Sequence, residues 1–223
     1  MKFIGKLVFC LIFLSTAGMA ASLDWEKTDD GGGIEIFKKD VPGSPIIAFK
    51  GQGMIDAPIS KVATVVLDTK RAPEWVPHLD EIKVLRRVSD HEHVEYNHIG
   101  TPFVMKDRDF VLRRKFEADP KAKVIKIEIH SIEDSAAPQT NYIRGEIINS
   151  SFTLKSVEND TKTYVITEIH ADPKGTTAKW LVNSFQKEMP RDILRSLRKQ
   201  VLKPDVEEDP FYKELFKEQA SKN

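Results

Sequence analysis

The chain has 223 residues, with 34 basic residues balanced by 34 acidic ones and 40% apolar residues. That composition excludes a wholly disordered chain, which needs low apolar content and a strong net charge. It also gives no basic excess for a nucleic-acid partner, and the single cysteine, Cys10, excludes a disulfide framework.

Residues 1–20 have a positive start (Lys2, Lys6), an unbroken apolar run from Leu7 to Leu14, and small residues at Ala17-Gly18-Met19-Ala20. This is the pattern of a cleaved secretory signal peptide, and the run is too short to span a bilayer. The expected domains are therefore a signal peptide at 1–20, one folded domain at 21–203 and a tail at 204–223. Cleavage removes Cys10, Lys2 and Lys6 and leaves a small acidic excess. A cysteine-free mature chain suits an oxidising compartment, so a periplasmic or secreted protein is expected, with a lean to the periplasm. The sequons at Asn149-Ser150-Ser151 and Asn159-Asp160-Thr161 matter only in a eukaryotic secretory route.

Ala21 to Asp30 reads as a lead-in, and Gly31-Gly32-Gly33 as a turn before a strand at Ile34-Glu35-Ile36-Phe37. No helix follows these glycines, so they are not a nucleotide loop. After a turn at Val41 to Pro45, Ile47, Phe49, Gly51, Gly53 and Ile55 share one strand face. Ile59 to Leu67 has helical spacing, with Pro58 in its first turn. Lys70 to Leu79 is a loop or short helix holding Trp75 and Pro77.

From Ile82 to Ile169 the pattern is β. Val94, Tyr96 and His98 alternate with His93, Glu95 and Asn97, which predicts a dry face and a wet face. Ile125, Ile127 and Ile129 alternate with Lys126, Glu128 and His130 in the same way. Further strands are expected at 110–116, 142–154 and 163–169, with turns at Asp119-Pro120 and Asn159-Asp160. Ile132 to Asn141 is a polar connection. Arg108 and Asp109 are adjacent on a strand and must point to opposite faces. Arg108 shares its face with Phe110 and Leu112. If that face is inward, Arg108 is a buried cation that needs a partner, with Glu146 and Glu168 as candidates.

Gly175-Thr176-Thr177 is expected to open a long final helix, with a threonine as N-cap. Leu181, Phe185, Met189, Ile193, Leu197 and Val201 recur every four residues, and Lys179, Lys187, Arg191, Arg195 and Arg198 mark a cationic opposite face. Pro190 predicts a kink or break. The fold class is α+β: a curved antiparallel sheet wrapped around the C-terminal helix, enclosing an apolar cavity. An empty void of ~500 Å³ would cost about 10 kcal/mol at ~24 cal/mol per Å³. Such a cavity must be occupied, wet or partly collapsed.

Trp75-Val76-Pro77, Tyr96, Pro102, Arg108-Asp109-Phe110-Val111 and Lys179-Trp180-Leu181-Val182-Asn183, in that order and context, resemble the START family, the steroidogenic acute regulatory protein-related lipid-transfer domains. The resemblance covers roughly Trp25 to Leu202. It implies a helix-grip fold, an apolar tunnel for a lipid or sterol-like molecule, and usually no catalysis. It also implies gating by the Ile132–Asn141 loop and the terminal helix. The candidate ligand-binding residues are Trp75, Tyr96, Arg108, Phe110, Leu181, Phe185 and Met189. No catalytic residue, metal or cofactor is assigned: His91 and His93 lack a third ligand, and hydrolase, metalloprotease and phosphate-loop motifs are absent. A monomer is expected, with transient membrane contact through the cationic helix face. Two alternatives remain open. One is an enzyme like the polyketide cyclases and aromatases, which requires facing ionisable groups in the pocket. The other is a ligand-free interaction module with an apolar patch at Phe211 to Phe216.

Overall fold

The computed structural model describes residues 24–101 and 106–217. The expected signal peptide at 1–20 and the motif residue Pro102 lie outside them. The strands are β1 (Glu26–Gly31), β2 (Ile34–Lys39), β3 (Ala48–Ile55), β4 (Leu79–Ser89), β5 (Glu92–Ile99), β6 (Arg108–Asp119), β7 (Val124–Ser131), β8 (Ile143–Arg144), β9 (Glu146–Val157) and β10 (Lys162–Asp172). The helices are α1 (Ile59–Leu67), α2 (Lys179–Gln200) and α3 (Pro210–Lys217), with a 3₁₀ turn at Ala72–Glu74. The strands form one sheet in the order β1-β2-β3-β10-β9-β7-β6-β5-β4, and β8 adds to β6 in parallel. Every other pairing is antiparallel. The sheet curves around α2 as a helix grip.

The lead-in expected before the glycines is in fact strand β1. Its sequence, EKTDDG, is polar throughout and exposed. What makes it a strand is the turn after it: Gly32 and Gly33 have φ of 64° and 68°, as a two-residue hairpin turn of matching twist requires. The two β3 glycines permit close packing. A Cβ on Gly51 would stand 2.7 Å from the Pro190 Cβ of α2, and one on Gly53 would stand 2.8 Å from the Gly33 carbonyl oxygen.

Helix α2 runs unbroken through Pro190. Its amide side chains tie it to the sheet. Gln186 Nε2 donates to the Ala171 carbonyl at 2.6 Å, and Asn183 Oδ1 accepts from the Ile47 N–H at 3.1 Å. The expected cationic face is only partly solvated. Arg191 is buried and pairs with Asp29 at 2.7 Å, while Arg198 donates to the carbonyls of Gly32, Gly33 and Met54. Both arginines clamp the β1–β2 hairpin against the helix.

The core lies between the sheet, α1 and the C-terminal half of α2, where Leu194, Leu197 and Val201 are fully buried. Residues beyond 203 contribute to it. Val206 is buried, and Tyr212 and Phe216 of α3 pack against the core beside α1, leaving Phe211 exposed.

The 132–142 connection lies over the outer face of β5 and β6. Ile132 and Ala137 pack on Val94, Tyr96 and Val111 there. Asp109, fully buried, accepts from Arg144 at 2.8 and 3.0 Å and from Thr140 at 2.7 Å. Burial pushes its carboxyl up, but these donors outweigh it and hold the group below its ordinary range. Asp109→Ala should cost about 1.5–3 kcal/mol, the scale of hydrogen bonds to a charged group. Hydrogen exchange should rise selectively across 133–142.

Candidate functional site

A cavity of about 450 Å³ lies between the sheet and the N-terminal half of α2. Its sheet wall comes from inward-facing positions of β5 (Asn97, Ile99), β6 (Arg108, Phe110, Leu112, Arg114), β7 (Ile129), β9 (Ile147, Ser150, Phe152) and β10 (Thr167, Ile169, Ala171). Leu181, Val182, Phe185, Met189 and Ile193 of α2 close the opposite side, and one end is built from loop residues including Pro77, Thr101, Pro173 and Thr177. The helix stripe thus serves two ends. Leu181, Phe185 and Met189 are only half-buried because they face cavity space, Ile193 is buried but still borders it, and Leu197 and Val201 pack into solid core.

Six of the seven expected ligand-contacting residues meet on this wall: Trp75, Arg108, Phe110, Leu181, Phe185 and Met189. Tyr96 does not. It sits on the other face of β5, in the small cluster beneath the 132–142 connection. The expected dry face of β5 is therefore the outer one, and the expected wet residues Glu95 and Asn97 are buried inward at 0% and 8% exposure. None of the residues lining the cavity comes from 132–141, so the segment expected as a gate is pinned to the outer face instead.

Glu95 and Arg114 were missed from sequence. Arg114 lines the cavity, and its guanidinium donates to the Glu95 carboxylate at 3.2–3.4 Å. His93 Nε2 lies 2.8 Å from Glu95, and Asn97 Nδ2 donates to it at 3.2 Å. Burial is the largest influence on the Glu95 carboxyl and pushes it up, but Arg114 and His93 together bring it down to about 2. The signal for Arg114 was its parity: it continues the Arg108, Phe110, Leu112 face at the same two-residue step.

Arg108 is 5% exposed, but its partners are neither Glu146 nor Glu168. Glu146 pairs with Lys174 at 2.6 Å, and Glu168 stands opposite Lys50 on β3. Arg108 instead donates to the Lys106 carbonyl, to the Pro173 carbonyl at 3.3 Å and to Thr177 Oγ1 at 2.6 Å. This explains a second departure from expectation. The N-cap of α2 is Ala178, whose methyl side chain can make no cap bond, and the Thr177 hydroxyl is turned to Arg108 instead.

Trp75 Nε1, Asn97 Oδ1 and Ser150 Oγ are buried without a hydrogen-bond partner among the described residues, and all three residues line the cavity. Trp75 also borders a smaller polar hollow of about 250 Å³ between α1 and the segment after α2. Outside the cavity, Asp80, His98 and Asp107 cluster. Each of the three offers a ligand atom within 4.8 Å of the others, and His98 Nε2 lies 3.1 Å from Asp107 while Nδ1 lies 3.9 Å from Asp80.

Residues 22–203 match the START domain family. An uncharacterized protein of Pseudomonas aeruginosa is 24% identical over 191 residues, covering 86% of this chain and 93% of its own. Among solved structures, human STARD10 superposes with a TM-score of 0.74 at 20% identity, covering 81% of this chain and 74% of that one. A STAR-related lipid transfer protein fragment from Xanthomonas axonopodis gives 0.70 at 24% identity, covering 80% and 99%.

Proposed function

The chain belongs to the START domain family, and on that premise we propose that it binds and carries a single apolar guest of lipid type in the cavity beneath α2. The observation that carries this reading is the wall itself: an apolar lining around about 450 Å³. Left empty, such a void would cost on the order of 10 kcal/mol, comparable to the whole stability of a domain. A methylene is close in size to a water, which takes about 30 Å³ of liquid. The space is therefore large enough for an acyl chain or a sterol-sized body. Burying a methylene is worth about 0.8 kcal/mol in protein or bilayer alike, so uptake and release are nearly balanced, as a carrier needs.

The wall arginines, and the Glu95 carboxylate paired with Arg114, are not poised for acid–base catalysis. Glu95 is held ionised by Arg114 and His93, far below neutrality, and arginines do not lose their proton in this range. A general acid or base needs a group poised near the working pH. Membrane contact fits Trp180, 73% exposed at the start of α2 between Lys179 and the cavity-lining Leu181, since an exposed indole suits the lipid–water interface. The proposal includes export by residues 1–20.

Met189→Trp tests it. Tryptophan at this wall position fills guest space without touching the packed half of α2. Transfer of a fluorescent fatty acid between vesicles should fall by about tenfold or more, with the melting temperature unchanged or raised. Transfer equal to wild type would overturn the reading.

A further inference from the structure

The charge balance of the cavity wall carries a finer statement. Two guanidinium groups and one carboxylate line it, and the carboxylate, Glu168, stands opposite Lys50 on β3 and interacts with that lysine. Arg114 is neutralised by Glu95. Arg108 is almost wholly buried, yet its three hydrogen-bond acceptors are two carbonyls and one hydroxyl, all neutral. The carboxylate that acts on it through space is Asp107, whose oxygens are taken by His98 Nε2 at 3.1 Å and the Thr101 N–H at 2.9 Å. A buried charge without a counter-charge is costly, and a guanidinium has five N–H donors, of which three are used among the described residues.

What surrounds Arg108 is also short of negative charge. The Thr177 hydroxyl accepts from Arg108, so its own proton is available to donate. It stands just before the N-terminus of α2, a 22-residue helix with no side-chain cap and no acidic residue in its first turn. The positive end of the helix dipole favours an anion there. Gly175, at φ 75°, lets this loop wrap close: a Cβ would stand 3.0 Å from Ile143 Cδ1 and 4.0 Å from Arg108 Nη2.

We propose that Arg108, with the Thr177 hydroxyl and the start of α2, forms an oxyanion seat at the loop end of the cavity, so that the guest is an anionic amphiphile with a carboxylate or phosphate head and a single apolar body. The inference rests on the carrier reading above. A neutral hydroxyl head would leave the Arg108 charge uncompensated, whereas an oxyanion takes the two spare N–H donors and supplies the missing charge together.

The test is displacement of Nile red, a neutral apolar dye, by hexadecanoate, hexadecyl phosphate and hexadecanol. All are used below their micelle-forming concentrations and above the carboxyl's titration range. The two anions should displace the dye at concentrations at least about tenfold lower than hexadecanol, the scale of one charged hydrogen bond. Their order tells a carboxylate seat from a phosphate seat. Arg108→Gln should abolish the preference while still binding the dye, and Thr177→Val, which leaves the charge in place, should reduce it about threefold. Equal displacement by hexadecanol and the anions in wild type would overturn the oxyanion seat but leave the carrier reading intact, as would an undiminished preference in either variant. Failure of wild type to bind both Nile red and hexadecanol would overturn the carrier reading and the seat with it.

Discussion

Replacing Glu95 with alanine is expected to destabilise the protein by about 3–5 kcal/mol, as removal of one partner from a buried ion pair does. Glu95 is completely buried, and its carboxylate is shared by Arg114, His93 and Asn97. Its loss strands the Arg114 guanidinium on an apolar wall. The double variant Glu95→Leu with Arg114→Met should recover most of the loss, because an apolar pair of similar volume spares both charges their desolvation. Urea denaturation of the two single variants and the double variant gives the coupling directly. The pH dependence follows in sign. The folded carboxyl, at about 2, lies below its ordinary value of 4.5. Its contribution is therefore present above pH 4.5 and is lost as pH falls through the folded value. The acid limb of the stability curve should flatten in Glu95→Ala between those limits.

Gly51→Val is expected to cost about 3 kcal/mol, the upper range for overpacking a tight contact. A Cβ there would stand 2.7 Å from Pro190 Cβ and 3.3 Å from Leu194 Cδ1. The proline ring cannot swing aside, so α2 itself must shift from β3. Because the same helix closes the cavity, the cost appears twice. The melting temperature should drop by roughly 6–12 °C for a chain of this size, and guest binding should weaken in parallel. A valine variant with an unchanged melting temperature would mean that α2 is not gripped at Gly51.

Much of this architecture was legible because periodicity reports burial. The bounds of α1, the alternating isoleucines of β7 and the four-residue stripe of α2 all follow from apolar spacing. The errors have a common physical source: a residue's face or partner was assigned before its covering segment was known. Tyr96 was placed inward because apolar residues normally face a core. The 132–142 connection covers the outer side of β5, so that side is dry as well, and the polar Glu95 and Asn97 could turn inward. A threonine of the 175–177 segment was taken as the helix cap because local sequence cannot show that a strand residue 69 positions away would claim the Thr177 hydroxyl. The arginines of α2 looked solvated until the polar β1–β2 hairpin, itself invisible to hydrophobic alternation, supplied acceptors for two of them.

Mass spectrometry of the protein, purified without detergent and extracted with organic solvent, asks most directly whether the hollow under α2 houses a guest. The extract should contain one dominant amphiphile at close to one molecule per chain, and native spectra should show its mass on the intact protein. An extract with no such compound, joined to intact spectra at the bare polypeptide mass and no uptake of added fatty acid, would contradict the account at its root.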